Sequence, residues 1–483
     1  MQLLVIQKIL GLLMMLFSTT MLPPLAIALS DQDKTVKTFM LCFLLILSIG
    51  AFLWLPVHRV NRELRLRDGF VVVVLFWAGL GLVGAMPFLL ASFPDMTFTD
   101  SLFESVSGLT TTGATVIMGL EQLPKSLLFY RQELQWLGGM GIIVLAVAIL
   151  PMLGIGGMQL YRAETPGPIK DSKLTPRITE TAKALWYVYL SLTIACALMY
   201  WIAGMSLFDA VSHSFSTVSI GGFSTHDQSI GYFDNRLINT IAVVFMLIAA
   251  INFTLHFVSW RSLSLNTYRK DSEVKALFGV LFVLCVITCV YLVSLGNYDD
   301  TQSAISHGIF QSVSIATTTG FTTTAYQTWP TFLPVLLIFA SFMGGCAGST
   351  GGGLKVIRVV LLYKQGKREI RRLVHPNAII PIKLGGKPVD EAVINAVWGF
   401  FAAYVAIFAL LLILLMATGL DQVTAFSAVA ACLNNLGPGL GDVSAHYSGI
   451  NDISKWLLCL AMLLGRLEIF TLLVLMTPTF WRK

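Results

Sequence analysis

Apolar residues along the chain gather into ten long stretches separated by shorter, more polar connections. Each stretch has about 20 residues or more, which is the length a helix needs to cross the ~30 Å hydrocarbon core of a bilayer. The predicted spans cover residues 9–29, 38–57, 69–94, 130–158, 180–204, 236–260, 276–295, 331–362, 394–418 and 455–479. This pattern predicts an all-α polytopic membrane protein.

Composition excludes the soluble classes. Of the 483 residues, 56% are hydrophobic and 12% are charged, which is about half the charged share of a soluble domain. A water-soluble globular protein, a disordered chain and a disulfide scaffold are therefore excluded. The seven cysteines lie within or beside apolar stretches and lack CxxC or metal-ligand spacing, so we predict that they are free.

Basic residues occupy alternate connections. Nine Lys and Arg residues lie in 355–387, whereas none occurs in 184–235, 276–354 or 388–454. By the positive-inside rule, the basic connections and both chain termini are predicted to be cytoplasmic. The net charge of +6 is explained by this asymmetry, and nucleic-acid binding is not indicated.

The four outer connections share one pattern, centred on a glycine. They are weakly polar, rich in Ser, Thr and Gly, and align on Gly113, Gly222, Gly320 and Gly437. Thirteen positions upstream of these glycines, we expect a short helix to start at Asp100, Asp209, His307 and Thr424. Each repeat is predicted to contain a membrane helix, a short helix that stops partway, an extended glycine-centred stretch and a second membrane helix.

This repeated unit suits a cation. The C-terminal end of a short helix carries a partial negative charge, and carbonyls of an extended stretch can replace an ion's hydration shell. Small-residue packing seams are the alternative, but such seams belong inside spans rather than between them. The predicted filter residues are Thr111, Thr112, Gly113, Ile220, Gly221, Gly222, Thr318, Thr319, Gly320, Asn435, Leu436 and Gly437.

Two further features lie outside the glycine repeats. The stretch Gly344–Gly353 interrupts a predicted span with six glycines and lacks the Gly-Lys-[Ser/Thr] ending of a phosphate-binding loop. A glycine kink for close packing is its alternative interpretation. Arg466 lies inside the last apolar stretch, so it is expected to face a water-filled pore or a partner. Snorkelling to the membrane interface is the alternative.

Several motifs carry a resemblance to a known family over essentially the whole chain. They are the four glycine stretches together with RQELQWLGGMGIIVLAVAILP (131–151), GGMQLYRAETPGP (156–168), GGCAGSTGGGLKVIR (344–358), RRLVHPN (371–377), NNLGPGLG (434–441) and GRLEIFTLLVL (465–475). On these residues the chain resembles the bacterial Trk-type potassium uptake proteins of the Trk/Ktr/HKT superfamily.

The resemblance implies a specific architecture and ion. Four M1–pore helix–M2 repeats, at 58–165, 166–270, 271–375 and 376–483, would surround a pseudo-fourfold pore, preceded by two extra N-terminal transmembrane helices at 1–57. Potassium would be the transported ion, held at the filter residues, and no cofactor is expected in this chain. An intramembrane loop would obstruct the closed pore, which gives the expected gate residues Gly344, Gly345, Gly348, Gly351, Gly352, Gly353 and Arg466.

The resemblance also implies partners and a location. It implies a homodimer in the lipid of the bacterial inner membrane, bound to a cytoplasmic nucleotide-binding regulatory ring of the TrkA type. The basic connection 355–387 is a candidate landing surface for that ring, although an ordinary positive-inside connection would look the same.

Two other functions stay open at this stage. A membrane enzyme or scaffold is disfavoured because the sequence has no HExxH or GxSxG motif and no paired carboxylates within a span. Within transport, the alternatives to a gated potassium pore are a proton- or sodium-coupled symporter and a less selective potassium/sodium pore.

Overall fold

The chain folds almost entirely into helices. The computed structural model describes residues 2–60, 66–144, 178–330 and 332–482. Within these ranges the only strands are β1 (Lys383–Leu384) and β2 (Lys387–Pro388), which pair as an antiparallel hairpin. The predicted all-α class is confirmed. The motif at 156–168, the basic residues 162, 170, 173 and 177 and the second half of the predicted span 130–158 lie outside the described residues.

Two membrane-length segments precede the repeated units. The first is α1 (Leu3–Ser18) continued by α2 (Leu22–Asp31), and the second is α3 (Val36–Trp54). Glycines allow α1 and α3 to approach closely, because a Cβ added to Gly11 would lie 2.8 Å from the Gly50 carbonyl oxygen. Small residues at such crossings are typical of helices packed in membranes.

Four similar units follow in chain order, each with a short helix in the middle. The first two units contain α4 (Leu66–Gly84), α5 (Met86–Leu90), α6 (Phe98–Leu109), α7 (Lys125–Val144), α8 (Ile178–Ile202), α9 (Leu207–Val218), α10 (Arg236–Ala249), α11 (Phe253–Ser262) and α12 (Asn266–Lys270). The last two contain α13 (Ser272–Ser294), α14 (Thr301–Ala316), α15 (Leu333–Ser341), α16 (Val356–Val374), α17 (Glu391–Ala417), α18 (Gln422–Leu433), α19 (Asp452–Arg466), α20 (Phe470–Met476) and α21 (Pro478–Trp481).

The described residues contain six helical segments that are long and apolar enough to cross a membrane, or eight if two bent pairs count as spans. Two of the ten predicted spans, 130–158 and 331–362, are not among these eight segments. The first continues as α7 up to the limit of the described residues, and the second is divided into α15 and α16.

Two of the predicted continuous spans are in fact broken, and the predicted interruption of a third is confirmed. The span 236–260 bends by 93° between α10 and α11, and the span 455–479 bends by 115° between α19 and α20. The span 331–362 is interrupted by the segment 342–355, which contains the predicted glycine-rich stretch.

Residues at the breaks of two spans form backbone hydrogen bonds with each other. The Cys346 amide donates to the Ala250 carbonyl at 2.8 Å, and the Phe253 amide donates to the Gly348 carbonyl at 3.1 Å. The glycine-rich segment therefore fills the gap in the α10–α11 pair. Irregular backbone at membrane depth is tolerated only where protein or a cavity surrounds it, so these breaks stabilise each other.

Candidate cation pathway

The four short helices α6, α9, α14 and α18 begin with side-chain caps. Thr97 and Ser206 each accept a hydrogen bond from the aspartate amide three residues on, and the two hydroxyls donate back to the carboxylates of Asp100 and Asp209. The caps of α14 and α18 are Asp300 and Asp421. The expected helix starts are therefore wrong by at least two residues, since the four helices begin at Phe98, Leu207, Thr301 and Gln422.

The third helix shows the largest shift, because α14 has 16 residues and His307 lies six positions after its first residue. At α18, the hydroxyl and the main-chain amide of Thr424 donate to Asp421 and hold the pKa of its carboxyl below the ordinary value.

Each short helix ends in the same left-handed turn. The residue two positions before the central glycine has a positive φ in all four repeats, at 51° in Thr111, 55° in Ile220, 68° in Thr318 and 54° in Asn435. The next amide then reaches back to the carbonyl of the residue six positions before the central glycine, at 2.7–2.8 Å. A positive φ at a β-branched residue such as Ile220 is a genuine outlier, and such strain clusters at functional sites.

The four central glycines form a closed ring. We call residues 110–114, 219–223, 317–321 and 434–438 the glycine segments, numbered 1 to 4. A Cβ added to the central glycine of each segment would lie closer than 3.0 Å to the carbonyl oxygen of the residue that precedes the central glycine in the next segment. The pairs are Gly113 with Gly221, Gly222 with Thr319, Gly320 with Leu436, and Gly437 with Thr112.

Segment 1 therefore contacts segment 2, segment 2 contacts segment 3, segment 3 contacts segment 4, and segment 4 contacts segment 1. The central glycines have φ between +79° and +98°, a conformation that glycine adopts without steric cost. Both the backbone angles and the absent side chains are therefore needed for the four segments to approach.

An outer cavity opens on one side of the ring. Its volume is about 410 Å³, and its lining includes all four central glycines and residues that follow them along the chain. The buried ion pair between Arg131 and Glu104, at 2.8 Å, stands at its wall. Arg131 also donates to the Ser224 carbonyl at 3.0 Å and to the Thr115 hydroxyl at 3.1 Å. The pair therefore ties the first unit to the second beside the cavity.

The other outer carboxylates have partners as well. Asp100 accepts a hydrogen bond from Lys455 at 2.6 Å. Asp209 accepts one from Thr225 at 2.7 Å, and one of its oxygens lies 3.4 Å from the ring of His226. These carboxylates accept hydrogen bonds from the helix-capping hydroxyls and hold neighbouring elements together.

The glycine-rich segment lies on the other side of the ring. The Thr350 hydroxyl donates to the Val218 carbonyl at 3.0 Å, and the Gly352 amide donates to the Thr318 hydroxyl at 2.7 Å. The Gly353 amide donates to the Asn434 carbonyl at 3.1 Å. Since all three contacted residues precede the central glycines, this segment underlies the ring opposite the outer cavity.

Two buried basic side chains donate hydrogen bonds to consecutive main-chain carbonyls of this underlying segment. The Arg466 Nη1 donates to the Thr350 carbonyl at 3.1 Å, and the Lys355 ammonium donates to the Gly351 carbonyl. Arg466 is 6% exposed, and its Nε and Nη2 atoms have no hydrogen-bond partner among the described residues. Glu468, which lies in the break between α19 and α20, does not pair with Arg466 but with Arg358 of α16, at 2.8 Å.

The structure thus brings the predicted filter residues into one ring and the six predicted gate glycines into the segment beneath it, to which Arg466 is hydrogen-bonded from the end of α19. Sequence reasoning missed the Glu104–Arg131 and Arg358–Glu468 pairs and the clamp by Lys355. It also missed Gln135, which hydrogen-bonds segment 2. The available signal was the set of charged and amide residues inside apolar stretches, since such residues are costly in a membrane.

Comparison with known proteins gives full-length matches. The family model TrkH, described as a cation transport protein, matches residues 35–483. The Trk system potassium uptake protein TrkH of Vibrio parahaemolyticus is 59% identical over 478 residues, covering 99% of both chains. The Escherichia coli K12 proteins TrkH and TrkG are 56% and 43% identical, again over 99% of both chains.

A solved structure agrees with these relatives. The crystal structure of the potassium transporter TrkH from Vibrio parahaemolyticus matches with a TM-score of 0.93 at 56% identity, covering 100% of both chains. The chain belongs to the TrkH family of cation transport proteins and is a transporter rather than an enzyme.

Proposed function

We propose that the chain takes up potassium across the bacterial inner membrane, through the ring of glycine segments acting as a carbonyl-lined selectivity filter. The observation that carries this proposal is the closed cycle in which each central glycine abuts a carbonyl of the next segment. The relatives are named as potassium uptake proteins, which supports potassium as the ion.

Helix ends and backbone carbonyls would supply the binding free energy. The short helices end at the ring, so their partial negative charges favour a cation there. Carbonyl oxygens would replace the hydration shell that the ion leaves in the outer cavity. Segments 1 and 3 both carry three threonines before the glycine, whereas segments 2 and 4 carry other residues, and this difference matters little if main-chain atoms coordinate the ion.

The underlying segment 344–353, with Arg466, is proposed to be the gate. It contacts glycine segments 3 and 4 and the end of α9 in the second unit, so an ion leaving the ring meets it next. Arg466 and Lys355 add positive charge in the same place. Permeation would require this segment to move.

The membrane potential would drive uptake. With both termini and the basic connections on the cytoplasmic side, the outer cavity faces the outside of the cell. A potential of 100 mV is worth about 2.3 kcal/mol for each monovalent cation, so net uptake needs no second ion.

The chain is proposed to work as a homodimer with a cytoplasmic nucleotide-binding regulatory ring of the TrkA type. The relatives are named as components of a Trk system. The C-terminal turns of α16 combine basic residues with exposed apolar ones, since Leu373 is 83% and Ile379, beyond the helix, is 95% exposed. Exposed apolar residues beside charges are typical of protein-binding surfaces.

Ion-coupled symport is the second candidate, favoured by one residue. Glu133 lies within α7, is 6% exposed, and its Oε2 atom has no hydrogen-bond partner among the described residues. A carboxylate at such depth is a functional candidate by default. It lies on α7 rather than in the glycine segments, so we favour the uncoupled pore.

Flux through liposomes that contain only the purified chain tests both candidates. We expect potassium uptake to follow an imposed membrane potential, to exceed sodium uptake and to leave internal pH unchanged. Equal potassium and sodium fluxes would contradict the filter. Acidification or alkalinisation that tracks potassium flux, and disappears in Glu133→Gln, would establish proton coupling instead.

A further inference from the structure

The four glycine segments are held in place by different side chains. In segments 1 and 3, threonine hydroxyls pair within the segment. Thr110 bonds Thr112 and Thr317 bonds Thr319, each at 2.8 Å. The second member of each pair immediately precedes the central glycine, and in segment 2 that position is Gly221. Segment 2 therefore has no such pair.

A glutamine from the first unit takes the place of that pair. Gln135 projects from α7 and is fully buried. Its Nε2 donates to the Gly221 carbonyl at 2.6 Å, and its Oε1 accepts from the Phe223 amide at 3.0 Å. One amide group thus brackets Gly222 from both sides, and it holds the carbonyl that abuts Gly113 in the ring.

The absence of a side chain at Gly221 leaves the space that the Gln135 amide occupies. A Cβ on Gly221 would lie closer than 3.0 Å to Cδ and Oε1 of Gln135 and 2.8 Å from its Nε2. The φ of Gly221 lies outside the left-handed region, so the backbone itself does not require glycine there. The collision with Gln135 is therefore the reason for glycine at this position.

We infer that Gln135 is a positioning residue that sets the geometry of glycine segment 2 and thereby the selectivity of the ring, in place of the threonine pairs of segments 1 and 3. This inference rests on the proposed filter function. Gln135 and Gly221 act as one unit, in which the amide and a side chain at position 221 are mutually exclusive. The same ion selectivity can then be reached with either chemistry.

Removing either member should disturb the ring, and exchanging both should restore it. We expect Gln135→Ala, Gln135→Met and Gly221→Thr each to lower the potassium/sodium permeability ratio about tenfold, the effect of losing two hydrogen bonds. In Gln135→Ala/Gly221→Thr, a threonine side chain gains the space of the amide and can bond the Ser219 hydroxyl. The double variant should return to within about twofold of the wild-type ratio.

Gln132 provides the matched control. It is a buried glutamine on the same helix and accepts a hydrogen bond from the Ser216 hydroxyl in α9, without contacting segment 2 by hydrogen bonds. Gln132→Met should lower the melting temperature as much as Gln135→Met while leaving the permeability ratio unchanged. Gln135→Met conserves volume, so it tests the amide even if Gly221→Thr fails to fold.

The permeability ratio in liposomes decides the inference. Unchanged selectivity in Gln135→Met, or a double variant no better than Gln135→Ala, would overturn it. The variant Gly113→Ser distinguishes a wrong role for Gln135 from a wrong assignment of the filter. If Gly113→Ser loses selectivity while Gln135→Met keeps it, only the role of Gln135 is wrong. If Gly113→Ser also keeps it, the filter assignment is wrong.

Discussion

The guanidinium of Arg466 donates a hydrogen bond to the main-chain carbonyl of Thr350 at 3.1 Å. This contact joins the end of α19 to the segment beneath the glycine ring. Because Arg466 is buried, it both fastens that segment and places a charge that repels cations in a region of low dielectric.

Arg466→Ala should therefore speed potassium flux. Loss of a hydrogen bond to a charged group, worth about 1.5–3 kcal/mol, should favour the open segment and raise flux about tenfold. Arg466→Lys keeps the charge and should change flux little, although its geometry differs. The measurement is potassium uptake into liposomes, with the exposed Arg482→Ala as the control. A lower melting temperature with unaltered flux would make Arg466 a structural residue only.

The underlying segment can also be displaced sterically. A Cβ on Gly352 would lie closer than 3.0 Å to the Asn434 carbonyl oxygen, so Gly352→Ala should push the segment off the ring at a cost of about 1–3 kcal/mol. We expect potassium flux to rise and to depend less on the cytoplasmic partner.

Gly399→Ala is the matched control for this change, because Gly399 lies in α17 with nothing within 4 Å of an added Cβ. Flux and regulation should be unaffected there. If a folded Gly352→Ala variant also behaves as wild type, the glycine-rich stretch is a packing kink and not a gate.

The buried pair of Glu104 and Arg131 should matter for stability. Glu104→Gln leaves the Arg131 charge buried beside the outer cavity, and breaking such a pair costs about 3–5 kcal/mol. Replacing both residues, as in Glu104→Gln/Arg131→Met, should recover much of that loss. Thermal unfolding in detergent measures the stability of both variants. A single variant as stable as the wild type would show that water in the cavity solvates Arg131.

The repeated part of the fold could be predicted from the sequence because its signal is local. The four central glycines align on a common pattern, and their short helices and turns follow from residues within about 20 positions. The helix starts were misplaced because Asp100 and Asp209 resemble caps, whereas they are the reciprocal partners of Thr97 and Ser206.

The six glycines of 344–353 predict the break in the span 331–362, but the breaks in 236–260 and 455–479 and the side-chain contacts could not be predicted, because their causes are distant in sequence. The break after Ala250 is stabilised by the amide of Cys346, almost 100 residues later. Gln135 meets Gly221 across 86 positions. A glycine standing where two repeats have threonine was the only local sign of that contact.

We propose that the ring of four glycines selects potassium, and serine substitution of each glycine tests this selectivity. A Cβ at Gly113, Gly222, Gly320 or Gly437 would collide with a neighbouring carbonyl, whereas at Gly296, which also has a positive φ, it would meet nothing within 4 Å. Gly296→Ser therefore controls for backbone strain alone.

The measurement is the potassium/sodium permeability ratio of these five variants in liposomes that contain only this chain. We expect a fall of about tenfold or more at each of the four ring positions, equivalent to roughly 1.4 kcal/mol of lost discrimination, and no change in Gly296→Ser. Wild-type ratios in all four ring variants would contradict this proposal.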